Sequence, residues 1–194
     1  MPIIKNLSEI SDVYIGSEKI TDIYAGNDKV KSGQQELPWT QPKLSANGTI
    51  GGNAFACIGN GEYSSDTKGY KAFDKSTSTY WYGLRGNLPY YLEWYNPVAL
   101  KISQIIFTTG TARSDVEYCT KDYEIQASND GNSWISIYSG TNTKRAHKTP
   151  VTVNLSENAF YKYWKLCTIS GYGEMAKKGN VHIYEVTITA TQLA

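Results

Sequence analysis

From residue 90 onward, apolar and polar positions alternate with a period of two in short runs. LEW, ISQIIF, YEIQAS, WISIY, VTVNL, YWKLCTI and VHIYEVTITA each put apolar side chains on one face and polar ones on the other, with Gly, Asn, Asp and Ser between runs. No long segment keeps a helical period of 3.6. Seven or eight strands at this spacing predict an all-β sandwich of antiparallel sheets. Asn129-Asp130-Gly131-Asn132, between YEIQAS and WISIY, supplies residues tolerant of positive φ and predicts the hairpin turn that joins them.

The first thirty residues follow a different pattern. SDVYIGSEKI (11 to 20) is echoed by TDIYAGNDKV (21 to 30): Asp12 and Asp22, Tyr14 and Tyr24, Gly16 and Gly26, and Lys19 and Lys29 align. Each unit predicts a short β-segment followed by a turn, the two together forming a small meander. So small a sheet leaves strand edges and Val13, Tyr14, Ile23 and Tyr24 in need of cover. That cover comes either from the chain's own larger domain or from neighbouring copies or another protein. KSGQQELPWTQPK (31 to 43) has two prolines and no apolar period, and reads as a connection in which Trp39 can dock on either neighbour. The expected organisation is a β-repeat over 1–36, a linker over 37–43 and a sandwich domain over 44–194.

Composition narrows the function classes. A domain of ~150 residues buries about 70% of its unfolded surface, so no disulfide scaffold is required. The net charge of +1 is spread along the chain, which argues against nucleic acid and anionic membranes as partners. No apolar run has the length of a signal peptide or membrane span, so neither membrane insertion nor conventional secretion of the chain as it stands is expected. Cys57, Cys119 and Cys167 lack zinc-site spacing and read as buried free thiols, with a Cys57–Cys167 disulfide as the alternative. The two histidines, His147 in the basic turn TKRAHK and His182 in a strand, fall in no catalytic motif, and a non-enzymatic protein is expected.

One segment is more specific. YKAFDKSTSTYW (Tyr70 to Trp81) runs aromatic, Asp, small polar residues, Thr, aromatic, Trp; about forty residues later comes DYEIQASNDGNSWISIY (Asp122 to Tyr138). With YYLEWYNP, KISQIIF, FYKYWKL and VHIYEVTI in order over roughly residues 42 to 190, the chain resembles the discoidin, or coagulation factor 5/8 C-type, domain. That family includes many carbohydrate-binding modules. The resemblance implies a jelly-roll-like antiparallel β-sandwich and a structural cation, Ca2+ or alternatively Na+. Its implied ligands are the side chains of Asp74, Thr79 and Glu185 with the backbone carbonyls of Lys71, Ser76, Thr79 and Tyr184. The hydroxyls of Ser76, Thr77, Ser78 and Thr79 suit a hard ion, which takes six to eight oxygens at about 2.4 Å. Many relatives carry Gly-Asn or Gly-Asp where this chain has Lys75-Ser76, a change that leaves the Ser76 carbonyl in place. In the cation-free alternative, Asp74 caps its own turn.

Sugar recognition pairs aromatic rings with planar polar groups. YWYGLRGN (Tyr80 to Asn87), TARSDVEYC (Thr111 to Cys119) and SGYGEMAKKGN (Ser170 to Asn180) combine them, and in carbohydrate-binding relatives loops at corresponding places gather at one end of the sandwich. The candidate ligand residues are Tyr82, Arg85, Arg113, Asp115, Tyr118 and Tyr172, each also open to a solubilising or packing role. The tandem N-terminal repeat resembles attachment segments of bacteriophage structural proteins. The expectation is a glycan-binding adhesion domain on the virion surface, homo-oligomeric, held by residues 1–36 to other virion proteins or to its own copies. Its partner would be a cell-surface or mucosal glycan. The alternatives are a bacterial extracellular carbohydrate-binding module and a virion decoration without ligand.

Overall fold

The computed structural model describes residues 35–83, 88–110, 117–144, 146, 148–177 and 180–193, together with the backbone of 14–15, 18–19, 22–25 and 28–32. The chain divides into two compact units, Met1–Leu37 with Leu193–Ala194, and Pro38–Gln192. In the first, β1 (Tyr14–Ile15) pairs antiparallel with β2 (Glu18–Lys19), and β3 (Asp22–Ala25) with β4 (Asp28–Ser32). The sequence repeat carries into the register: Tyr14 opposes Lys19 and Ile15 opposes Glu18, just as Tyr24 opposes Lys29 and Ala25 opposes Asp28. Among the described residues, the predicted meander is two two-stranded sheets.

The next strand, β5 (Glu36–Trp39), crosses the division between the units. The larger unit continues with β6 (Ala56–Gly59), two 3-10 turns (Ser65–Thr67 and Gly69–Phe73) and β7 (Trp81–Tyr82). After these come β8 (Tyr90–Thr109), β9 (Asp122–Ser128), β10 (Ile135–Thr141) and β11 (Thr149–Asn154). β12 (Tyr161–Thr168), one helical turn (Glu174–Lys177) and β13 (His182–Leu193) complete it. LEW and ISQIIF, which read as two strands, are halves of β8. Its first half pairs with β6 and β12, and its second with β11 and β13. Pro97 falls where the register with β12 shifts, between Tyr95 opposite Tyr163 and Leu100 opposite Tyr161. A residue without an N–H is tolerated there, because a bulge needs no ladder donor.

The two halves of β8 thus join two antiparallel layers, β10-β9-β12-β8-β6 and β11-β8-β13 with β7 beyond β13. The inward positions form one core. Leu92, Trp94, Ile125, Trp164 and Leu166 come from the first layer, and Ile105, Phe107, Val186 and Ile188 from the second. Full burial of each such side chain contributes about 1.5–3 kcal/mol. Gln41 ties the entering chain to β13: its Nε2 donates to the Val186 carbonyl at 2.8 Å, and its Oε1 accepts the Ile188 N–H at 2.7 Å. The three cysteines are buried thiols that form no disulfide. Cys57 opposes Trp94 while Cys167 opposes Tyr91, so the two thiols point to opposite faces of the sheet and cannot be bridged.

Candidate functional site

Two arrangements share one end of β13. The loop predicted to hold a cation is stretched between two buried anchors, Phe73 and Trp81, which explains the spacing of aromatics around Asp74. Phe73 packs on Phe55 and Trp94 with ring centroids 5.7 and 5.8 Å apart. Upstream, the Gly69 N–H donates to Glu62 Oε1 and the Tyr70 N–H to Asn47 Oδ1, both at 2.9 Å. Within the loop, Asp74 Oδ1 accepts the Ser76 N–H at 3.0 Å and Oδ2 accepts the Thr79 hydroxyl at 2.7 Å. Lys75 is left-handed, with φ 60°.

Glu185 closes this loop from the other side. Between Ile183 opposite Thr109 and Glu185 opposite Thr108, β13 spends two residues against one of β8, so Tyr184 is the extra residue of a bulge. A bulge re-aims its side chains and leaves the extra residue outside the regular ladder. Both Glu185 carboxylate oxygens are buried without a hydrogen-bond donor. Burial first, then the Asp74 charge, push its pKa up to about 7; Lys75 and the backbone amides of Lys75 and Ser76 oppose this without reaching hydrogen-bond geometry. Asp74 caps its turn, as the cation-free reading expects. The orphaned second carboxylate is what that reading leaves unexplained, and the donor set fits a hard cation. Among the described residues, no cluster of three or more His, Cys, Asp or Glu exists, so a cation here would draw its other ligands from hydroxyls, carbonyls or water.

Next to this loop lies an aromatic cluster centred on His182. Its imidazole is stacked between Tyr80 and Tyr118, with centroids 4.4 and 4.2 Å away and ring planes inclined by 23° and 12°. Tyr82, opposite His182 in the β7–β13 pair, meets it edge-on at 4.5 Å and donates its hydroxyl to Asn180 Oδ1 at 3.2 Å. Tyr63, 59% exposed, stacks on Tyr82 at 4.8 Å. Neither ring nitrogen of His182 reaches hydrogen-bond geometry with a partner among the described residues, and burial lowers its pKa to about 4 against the opposing pull of the Gly110 backbone. Lys148 crosses to the cation loop, donating to the Thr77 carbonyl at 3.0 Å with its ammonium 4.2 Å from the Tyr184 ring centroid.

Of the predicted ligand residues, Tyr82 and Tyr118 come together, edge to face at 5.7 Å. Tyr172 is directed elsewhere: its hydroxyl donates to the Asn142 carbonyl. Arg85, Arg113 and Asp115 lie outside the described residues, as does His147. Sequence reasoning missed Tyr63 and Tyr80. Tyr80 follows the last residue of the proposed metal loop and was visible by position. Tyr63 carried no signal, because its stacking depends on the Tyr63 N–H donating to the Tyr82 carbonyl across the fold.

The sequence profile of the F5/8 type C domain matches residues 54–180, more than half of the chain, and the protein belongs to that family. No curated protein sequence matches it. Among solved structures, the fold is similar to a family 32 carbohydrate-binding module of Clostridium perfringens NanJ in complex with galactose. The identity is 22%, the TM-score 0.58, and the match covers 70% of this chain and 93% of that one. Another C. perfringens family 32 module, in complex with GalNAc-β-1,3-galactose, is 16% identical with a TM-score of 0.57, over 70% of this chain and 94% of that one. A chitosan-binding module from a Paenibacillus chitosanase/glucanase is 16% identical with a TM-score of 0.54, over 71% and 95%.

Proposed function

We propose that the sandwich is a non-enzymatic glycan-binding domain whose binding surface is the aromatic cluster of Tyr63, Tyr82 and Tyr118 over His182. The observation that carries this reading is the exposed Tyr63 ring, held in a stack on Tyr82. A ring fixed before the ligand arrives loses little entropy on binding, and its face suits the C–H side of a sugar. The ligands named for the C. perfringens modules, galactose and GalNAc-β-1,3-galactose, make terminal galactose and GalNAc the first ligands to try. A structural calcium, with sodium as the alternative, is held by Asp74, Thr79 and Glu185 and the carbonyls of Lys71, Ser76, Thr79 and Tyr184. Its work is to neutralise the two carboxylates and fix the loop that presents Tyr80.

Residues 1–36 are the attachment segment, joined through 37–43 to the sandwich of 44–194, and serve a phage particle or homo-oligomer in which several weak sites act together. A bacterial extracellular module is the second reading, supported by the bacterial origin of the similar modules. A glycan array with the folded protein tests the binding function: Tyr63→Ala and Tyr82→Ala should each weaken any hit by roughly tenfold without unfolding the domain. An empty array with multivalent, folded protein would leave a decoration protein without ligand. Mass spectrometry of purified particles separates the phage and bacterial readings, and sedimentation of the intact chain as a monomer would rule out self-association.

A further inference from the structure

A second recess lies away from the His182 cluster, at the margin where the two layers part. It holds about 270 Å³ and opens between β10 and β11, walled by Tyr123 and Tyr138 on one side and Val151 and Thr152 on the other. None of its lining residues belongs to the Tyr63–Tyr82–Tyr118 surface. The walls are packed rings. Tyr123 is buried and meets Phe107 edge-on at 4.9 Å, and Tyr138 stacks on Tyr123 at 6.1 Å while remaining 36% exposed. Gly140 makes room for both rings: a Cβ there would sit 2.7 Å from the Tyr123 hydroxyl and from Tyr138 Cε1.

The rim is equally fixed. Asn142 donates its Nδ2 to the Thr120 carbonyl and accepts the Lys144 N–H on Oδ1, both at 3.0 Å. Lys144 reaches the Pro150 carbonyl at 3.3 Å, from the end of β10 to β11. Among the described residues, the lining therefore offers one partly exposed aromatic ring, several threonine hydroxyls and one charged group, the Lys144 ammonium. The carboxylates of Asp122 and Glu124 line a neighbouring recess that shares Tyr123 and Thr141 with this one, and at the shared wall Asp122 Oδ1 accepts the Thr141 hydroxyl at 2.8 Å. Lys144 is the charge that a ligand meets inside the recess, and it favours a carboxylate. The volume lies just below the roughly 300–1,000 Å³ of sites for drug-sized ligands, so it suits one saccharide ring.

We propose that the recess between β10 and β11 is a second saccharide subsite that takes a single carboxylate-bearing sugar, its ring against Tyr138 and its carboxylate on the Lys144 ammonium. The subsite stands independently of the His182 cluster. The test is amide NMR titration of the full chain with sodium glucuronate and, separately, with glucose. Glucuronate should give saturable shifts at Gly140 to Lys144 that weaken with added salt, persist in Tyr82→Ala, and lose affinity roughly tenfold in Tyr138→Ala and in Lys144→Gln. Absence of saturable shifts in that segment would overturn the proposal, as would an equal response to glucose or unchanged affinity in both variants. Failure of the glycan array at the His182 cluster would leave this result unaffected, because the titration reads residues 140–144 directly.

Discussion

Two turns in this sandwich put an aspartate before a left-handed residue, and they handle its charge in opposite ways. At the β9–β10 hairpin, Asp130 Oδ1 accepts the N–H groups of Asn132 and Ser133 at 2.8 and 2.7 Å and the Ser128 hydroxyl at 2.9 Å. These bonds hold its carboxyl far below the usual range. At the Tyr70–Trp81 loop, Asp74 is bonded locally, but Glu185 stands beside it buried and without a donor. The hairpin is electrostatically complete with its own backbone. The loop has brought two carboxylates together with too few donors for both, which folding tolerates only when a proton or a cation makes up the balance.

The sharpest way to break this contrast is to control the cation. Calcium at a hundred times its Kd stabilises a protein by about 2.7 kcal/mol, which for a chain of this size raises Tm by roughly 5–10 °C. Calorimetry of the chelated and calcium-loaded protein should show that rise. Glu185→Gln and Asp74→Ala should abolish it, while Asp130→Asn should lower Tm equally in both conditions. A full calcium response in Glu185→Gln would erase the distinction between the two turns.

Next in size is the pH dependence. The folded pKa of Glu185, about 7, lies above its ordinary 4.5, so the folded state holds the proton more tightly. Its contribution is fully present below the unfolded value and is lost as pH rises through about 7. In chelator, the parent should therefore lose stability relative to Glu185→Gln between pH 5 and pH 8; in calcium, where the carboxylate stays ionised, that order should reverse. Denaturant titrations at the two pH values decide it. His182 has the opposite sign: with its pKa lowered to about 4, it contributes stability above 6.5 that is lost on acidification. His182→Phe should keep the stack on Tyr80 and Tyr118, flatten that acid limb and, by removing two unpartnered nitrogens, stabilise by about 1 kcal/mol at neutral pH.

The two turns also differ in how far sequence alone revealed them. Asn129 to Asn132 announced a hairpin because Asp and Gly carry their backbone preferences with them. Asp74 and Glu185 could be paired only through the family resemblance, since they lie on segments more than a hundred residues apart and nothing local marks a bulge at Tyr184. Strand alternation made the sandwich legible. The continuity of β8 was hidden because Pro97 reads as a breaker, and only the shifted register with β12 shows why it is not one. The aromatic cluster was half legible: Tyr82 and Tyr118 stood in sugar-friendly loops, whereas Tyr63 and the sandwiched His182 join them only through long-range pairing.

The smallest predicted effect concerns the left-handed residues themselves. Gly131 has φ 73° and Lys75 φ 60°, but only glycine adopts that conformation without a Cβ clash. Lys75→Gly relieves strain in the folded loop while adding freedom to the unfolded chain, so the net gain should be only about 0.5 kcal/mol. Because it also removes a cation that opposes the raised pKa of Glu185, the gain should be larger with calcium bound than in chelator. Gly131→Ala runs the other way: its Cβ would lie 3.1 Å from the Tyr163 ring as well as in a strained conformation, and should cost about 1–2 kcal/mol whether or not calcium is present. Paired denaturant titrations of both variants in calcium and in chelator measure the difference. A calcium-independent effect at both positions would mean that Lys75 is tuned by backbone strain alone and not by the charge it faces.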